Sequence, residues 1–119
     1  MGRLTTHVLD TARGCPARGV RVDLYRVDTE GGRSLLRTVV TTADGRSDEP
    51  LLAGREIVAG RYEMVFHVGS YFVTSGLVVV GQLPFLDQVP VRFAIAEPAG
   101  HYHVPLLVSP WGYTTYRGS

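Results

Sequence analysis

Histidine and arginine carry most of the chemical potential of this chain. His101 and His103 stand two residues apart in "HYHVPLLVSPWGYTTYRGS", and His7 lies in "LTTHVLD" near the start. Alternate residues of a strand point the same way, so His101, His103, Pro105 and Leu107 share one face while Tyr102, Val104, Leu106 and Val108 share the other. The second set is core material. A histidine face opposite it is solvated, buried under a partner, or the lining of a site. The first strand repeats the pattern, with Thr5, His7 and Leu9 on one face and Thr6 and Val8 on the other. If the two strands are neighbours in one sheet, the imidazoles of His7 and His103 are cross-strand partners about 5 Å apart at Cβ. Such a pair can divide general-base and orienting roles near neutral pH.

A third group is Arg46 in "TADGRSDEP", where an Asp-Gly bend projects a guanidinium from a fixed loop. Its planar fork of donors suits a ring bearing several carbonyl and amide groups, although a solvated surface arginine would read the same way. The His-x-His pair with a third histidine also has metal-ligand geometry, but no carboxylate nearby in sequence completes a set, and no metal is assigned. Cys15, in the turn "RGCPARG", is the single cysteine and has no activating neighbour in sequence, so it is left out of the site.

These side chains need a scaffold, and the chain reads as short alternating runs separated by Gly, Pro and Asp turns. "LTTHVLD", "VRVDLYRV", "LLRTVVTTA", "YEMVFHV", "VPVRFAIA", "HYHVPLLVS" and "GYTTY" predict an all-β antiparallel sandwich. Residues 69–77, "GSYFVTSGL", are the one candidate for a helical turn or two, with Ser70 as cap. Pro105 breaks a local rule, since proline in a strand implies an edge or a bulge. Violations of this kind gather at functional sites.

Bulk properties narrow the classes. A length of 119 residues fits one domain, 1–119, with a core of its own. Twelve arginines, no lysine and eleven acids give a net charge of +1 without any basic block, so nucleic acid is not the expected partner. Lysine-free composition removes Schiff-base chemistry and lysine-cradled phosphates. One cysteine means no intrachain disulfide and fits a reducing compartment. The opening "MGRLTTHVLD" is too short and polar for a signal peptide, no run approaches a membrane span of about 20 apolar residues, and the cytoplasm is the expected location.

Three separated segments together resemble one family. "HVLDTARGCPA", "TTADGR" and "HYHVPLLVSPWGYTTYRGS", supported by "FLDQVPVRF", are similar to the 5-hydroxyisourate hydrolases, the transthyretin-related enzymes of purine breakdown, whose hallmark is a terminal Tyr-Arg-Gly-Ser. The resemblance covers nearly the whole chain. It implies a transthyretin-like sandwich of two four-stranded sheets with one short helix, with the first strand beside the penultimate one. It also implies a homotetramer, a dimer of dimers, with active sites where subunits meet. His7, Arg46 and His103 are then the catalytic trio, and with Tyr116, Arg117, Gly118 and Ser119 they form the substrate-binding set. His67 in "MVFHV" matches no site of the family and reads as structural.

The implied reaction is the hydrolytic opening of the six-membered ring of 5-hydroxyisourate to 2-oxo-4-hydroxy-4-carboxy-5-ureidoimidazoline, with no cofactor. In it the histidine pair activates water and Arg46 stabilises the developing anion. A non-enzymatic transthyretin-like carrier is the alternative. Carriers of that kind lack the channel histidines, the arginine and the Tyr-Arg-Gly-Ser end. An adhesion module is a third class, because sandwiches host many functions; its mark would be aromatic residues exposed in loops.

Overall fold

The computed structural model describes residues 1–118. Its first strand, β1 (Arg3–Asp10), alternates between the core and the outside over its whole length: Leu4, Thr6, Val8 and Asp10 are buried, while Thr5, His7 and Leu9 are half-buried. A two-residue strand β2 (Cys15–Pro16) follows, then β3 (Arg21–Val27), β4 (Arg33–Val40) and a second two-residue strand, β5 (Leu52–Ala53). After one 3₁₀ turn come β6 (Gly60–Phe66), helix α1 (Val68–Thr74), β7 (Val89–Ile95), β8 (His101–Val108) and β9 (Tyr113–Thr115).

One sheet has the order β2-β1-β8-β9 with β5 also paired to β1, and the other has the order β4-β3-β6-β7. The sandwich is as expected, with two refinements. The first sheet holds five strands rather than four because β2 and β5 share the same flank of β1, at opposite ends. Its central pair, β1 with β8, is parallel in an otherwise antiparallel fold. The facing sides of the two sheets close over one core that includes Leu4, Val8, Leu24, Tyr62, Phe66 and Leu106. Alternation along each strand delivers these residues inward, and burial of a large apolar side chain contributes roughly 1.5–3 kcal/mol.

The helix occupies the expected stretch, but it starts at Val68 after His67, and Ser70 is inside its first turn. The Ser70 hydroxyl donates back to the His67 carbonyl (3.3 Å) and caps no amide. What anchors this short helix is tertiary: Phe72 is in the core, and the Tyr71 hydroxyl donates to Asp10 Oδ2 at 2.8 Å. Burial and the Asp10 carboxylate together push the Tyr71 phenol up to about 12.

Pro105 lies in an interior strand rather than at an edge. β8 is flanked by β1 and β9, and the ladder to β9 runs from Val108↔Tyr113 to Leu106↔Thr115. It resumes in the same register at His103↔Gly118, where the Gly118 amide donates to the His103 carbonyl at 2.7 Å. Hydrogen-bonded pairs of an antiparallel ladder recur every second residue, so Pro105 falls opposite Tyr116 at a position that needs an amide hydrogen. Proline has none. The Pro105 carbonyl instead accepts from Thr115 Oγ1 at 2.7 Å. The tail therefore leaves the sheet for two residues and returns beside His103.

Candidate active site

The parallel register of β1 and β8 decides which side chains meet. Arg3 is opposite His101, Thr5 opposite His103, and His7 opposite Pro105. His7 and His103 thus share the outer face of the sheet on adjacent strands, displaced by one step along it; the directly opposed imidazole pair drawn from periodicity does not form. Thr5 takes the place across from His103, and its hydroxyl lies 2.8 Å from His103 Nδ1. The inner partners Tyr102, Val104, Leu106 and Val108 are all buried, as their alternation predicts.

Arg46 reaches this face from the loop after β4, and that loop is tied to β1 by its backbone. The Thr42 amide donates to the Arg46 carbonyl (2.7 Å), the Gly45 amide to the Thr42 carbonyl (2.8 Å), and the Val8 amide to the Gly45 carbonyl (2.8 Å). The last bond fixes the loop on the flank of β1, between β5 and β2. Gly45 has φ +76°, and a Cβ there would stand 2.4 Å from the Val8 carbonyl oxygen and 3.1 Å from His7 Cδ2. Only glycine allows both the left-handed backbone and the close approach.

Electrostatics binds the three groups together. Burial, then the Arg46 charge, hold the His7 imidazole below its ordinary value of 6.5, against a smaller opposing pull from the backbone and carboxylate of Asp44. Burial, then Arg46, then His7, likewise hold His103 below 6.5. Desolvation and a nearby cation both disfavour imidazolium. The result is two neutral imidazoles, each able to accept a proton at neutral pH, beside a permanent cation.

Arg46 and His103 line an open groove of about 430 Å³ together with Thr5, Arg3 and His101. His7 is not among its lining residues and belongs to the site through β1 and through its coupling to Arg46 and His103. Among the described residues, no group of three His, Cys, Asp or Glu side chains is placed to hold a metal ion.

The terminal segment divides. Gly118 packs on His103: a Cβ there would meet His103 Cδ2 at 2.6 Å and Cβ and Cγ at 3.2 Å. Arg117 turns away, with its guanidinium 4.3 Å over the Tyr102 ring and an Nη2 donating to the His101 carbonyl at 3.4 Å. Tyr116 is exposed and lines, with Arg117, a separate hollow between β7 and β9. Ser119 lies outside the described residues. Within one chain, His7, Arg46, His103 and Gly118 are brought together, and Tyr116 and Arg117 are not. Thr5 is the contact that periodicity placed on the right face without a role; the signal that finds it is the parallel register.

His67, read as structural, is far from this site on the second sheet. Its Nε2 lies 2.9 Å from Asp23 Oδ2.

Over residues 4–118 the chain matches the family described as "HIUase/Transthyretin family". It is 57% identical over 121 residues to 5-hydroxyisourate hydrolase 2 of Rhizobium meliloti (strain 1021), covering 99% of this chain and 97% of that one. The crystal structure of an (S)-allantoin synthase is similar with a TM-score of 0.90 at 50% identity, over 99% of this chain and 44% of that chain, so this chain spans less than half of that protein's length. A transthyretin from Sparus aurata is similar with a TM-score of 0.84 at 31% identity, over 98% of this chain and 96% of that chain. One architecture thus carries differently named proteins, and the site residues must choose among their activities.

Proposed function

Because the chain belongs to the HIUase/transthyretin family, we propose that it is a 5-hydroxyisourate hydrolase. It opens the six-membered ring at an amide-like C–N bond to give 2-oxo-4-hydroxy-4-carboxy-5-ureidoimidazoline. The observation that carries this reading over a carrier is the pair of half-buried imidazoles held neutral beside Arg46 on one sheet face. A binding channel for an apolar ligand has no use for two bases and a cation.

One imidazole takes a proton from water as the water oxygen adds to the ring carbonyl. Arg46 donates hydrogen bonds to the oxyanion that forms. The proton then passes to the departing ring nitrogen as the C–N bond breaks. His103 is the better placed base, since it lines the groove with Arg46, and His7 orients water or substrate next to it. A positioned base contributes roughly 10²- to 10⁴-fold, and one anion donor about 10²- to 10³-fold. Neither step requires a metal or cofactor. Gly118 shapes the wall behind His103, and the substrate-binding roles of Tyr116, Arg117 and Ser119 belong to the assembled protein.

The assembly in this reading is a homotetramer, a dimer of dimers with the histidine faces of two subunits across a channel. Trp111, Tyr113 and Tyr116, exposed on and around β9 of this sheet, are apolar surface that such an assembly would cover. No helix among the described residues is long and apolar enough to cross a membrane. The single cysteine suits a cytoplasmic setting.

The decisive experiment follows the ultraviolet absorbance of freshly generated 5-hydroxyisourate. The protein accelerates its decay, and a rate equal to that in buffer alone rejects the hydrolase. Light scattering on the eluting protein gives a tetramer mass; a monomer places the site within one subunit.

A further inference from the structure

We infer that Thr5 is a positioning residue for His103, holding its imidazole as the tautomer with the proton on Nδ1 and the lone pair on Nε2 facing the groove. The inference rests on the hydrolase reading of this site and names what prepares its base.

The ring is held on two edges. On one, Thr5 Oγ1 lies 2.8 Å from Nδ1. On the other, the Gly118 backbone stands so close to Cδ2 that a Cβ would come within 2.6 Å of it. Carbon cannot replace nitrogen in a hydrogen bond to a hydroxyl, so the Thr5 contact selects this ring orientation over the flipped one. With Nδ1 and Cδ2 both covered, Nε2 is the ring nitrogen left to act.

A threonine hydroxyl can either donate to Nδ1 or accept from it, and the surroundings choose. Were it to donate, the Nε2 proton would point into a groove lined by the guanidinium groups of Arg46 and Arg3, which offer only donors. With the proton on Nδ1, Nε2 presents a lone pair to those cations and to any water between them. Asp48, Glu49 and His101 also line the groove, but the ionisable groups that act on the His103 imidazole are Arg46 and His7, and neither is an anion. The same orientation suits a general base, whose other nitrogen must be occupied by an acceptor.

Nitrogen-15 shifts of the His103 ring in the uniformly labelled protein read the tautomer directly. At neutral pH Nδ1 has the shift of a protonated nitrogen and Nε2 that of an unprotonated one. Thr5→Val keeps the side-chain shape, lets the Nε2–H form gain population, and lowers kcat/KM by roughly tenfold or more with little change in KM, short of the ~10⁴ that an enforced wrong tautomer costs a histidine base. Thr5→Ser restores both the shifts and the rate. A wild-type spectrum with the proton on Nε2 overturns the inference. So does a Thr5→Val protein with unaltered ring shifts and rate. The wild-type spectrum needs neither variant nor substrate, so it stands or falls apart from the decay assay.

Discussion

The outward faces of the two sheets treat their ionisable groups in opposite ways. On β4-β3-β6-β7 every buried charge is matched. Asp23 accepts from Thr38 Oγ1 (2.7 Å), His67 Nε2 (2.9 Å) and Arg21 Nε (3.0 Å), and Glu63 accepts from Arg33 (2.5 Å) and Arg92 (2.6 Å). Burial by itself would raise both carboxyls; these donors overcome it and hold each below its ordinary range. On β2-β1-β8-β9 two histidines have a cation for a neighbour and no carboxylate side chain bonded to them. The first face spends its polar groups on one another. The second leaves them available to something from outside the chain. Here the histidine bonded to a buried carboxylate, His67, belongs to the scaffold of its sheet, while His7 and His103, neutral beside Arg46, are left able to take a proton.

Breaking the second face should cost activity and spare the fold. His103→Ala is expected to lower kcat/KM by about 10²- to 10⁴-fold, and His7→Ala by at least about 10²-fold. Circular dichroism and melting stay close to wild type, because neither ring is in the core. Loss of fold along with activity would mean that these histidines are structural after all.

Arg46→Leu is expected to reduce kcat/KM by about 10²- to 10³-fold and also to move the pH profile. Both histidines lie below 6.5 in the folded protein, so the acid limb of kcat/KM in wild type falls below that pH. Removing the cation relieves the imidazolium, so the limb in Arg46→Leu shifts upward toward 6.5. An acid limb that stays in place would break the electrostatic coupling of the trio. Gly45→Ala should act through the same group more gently. The loop must retreat from Val8, and the misplaced guanidinium costs on the order of 10²-fold or less, read as a fall in kcat/KM with Arg46 still present.

The matched face gives the converse result. Asp23→Ala removes a buried, charged acceptor shared by Thr38, His67 and Arg21 and is expected to destabilise by about 1–3 kcal/mol in urea denaturation, with kcat/KM within about twofold of wild type. Acid separates the faces as well. As pH falls through 6.5 the unfolded chain protonates its histidines before the folded one does, so His7 and His103 subtract stability first. Asp23 and Glu63 hold their contribution until pH drops below the unfolded carboxylate values of 3.8 and 4.5, and lose it as pH passes through the lower folded values. A stability curve with loss only below 4.5 would remove the histidines from the acid response.

What was legible in sequence follows from the period of a strand. Two-residue alternation placed His7 and His103 on outer faces and Tyr102, Val104, Leu106 and Val108 in the core, because a side chain's face depends only on its own strand. The segments "CP" and "LA" of β2 and β5 carry no detectable period at two residues each, so the fifth strand of the first sheet was out of reach. Ser70 has the chemistry of a cap, yet burial of Val68 and Phe72 starts the helix earlier. Which strand neighbours which, and at what register, depends on contacts between residues about a hundred positions apart, as with Thr5 and His103.

By itself the amino-acid order determined the seven strands longer than two residues, their inward and outward faces, and the presence of histidines able to do acid-base chemistry and of an arginine able to hold an anion. Only the tertiary structure decided that β1 and β8 run parallel, that Thr5 rather than His7 stands across from His103, and that Arg117 turns toward Tyr102. The reason is physical: periodicity is a property of one segment, whereas register and desolvation arise only when distant segments pack against each other.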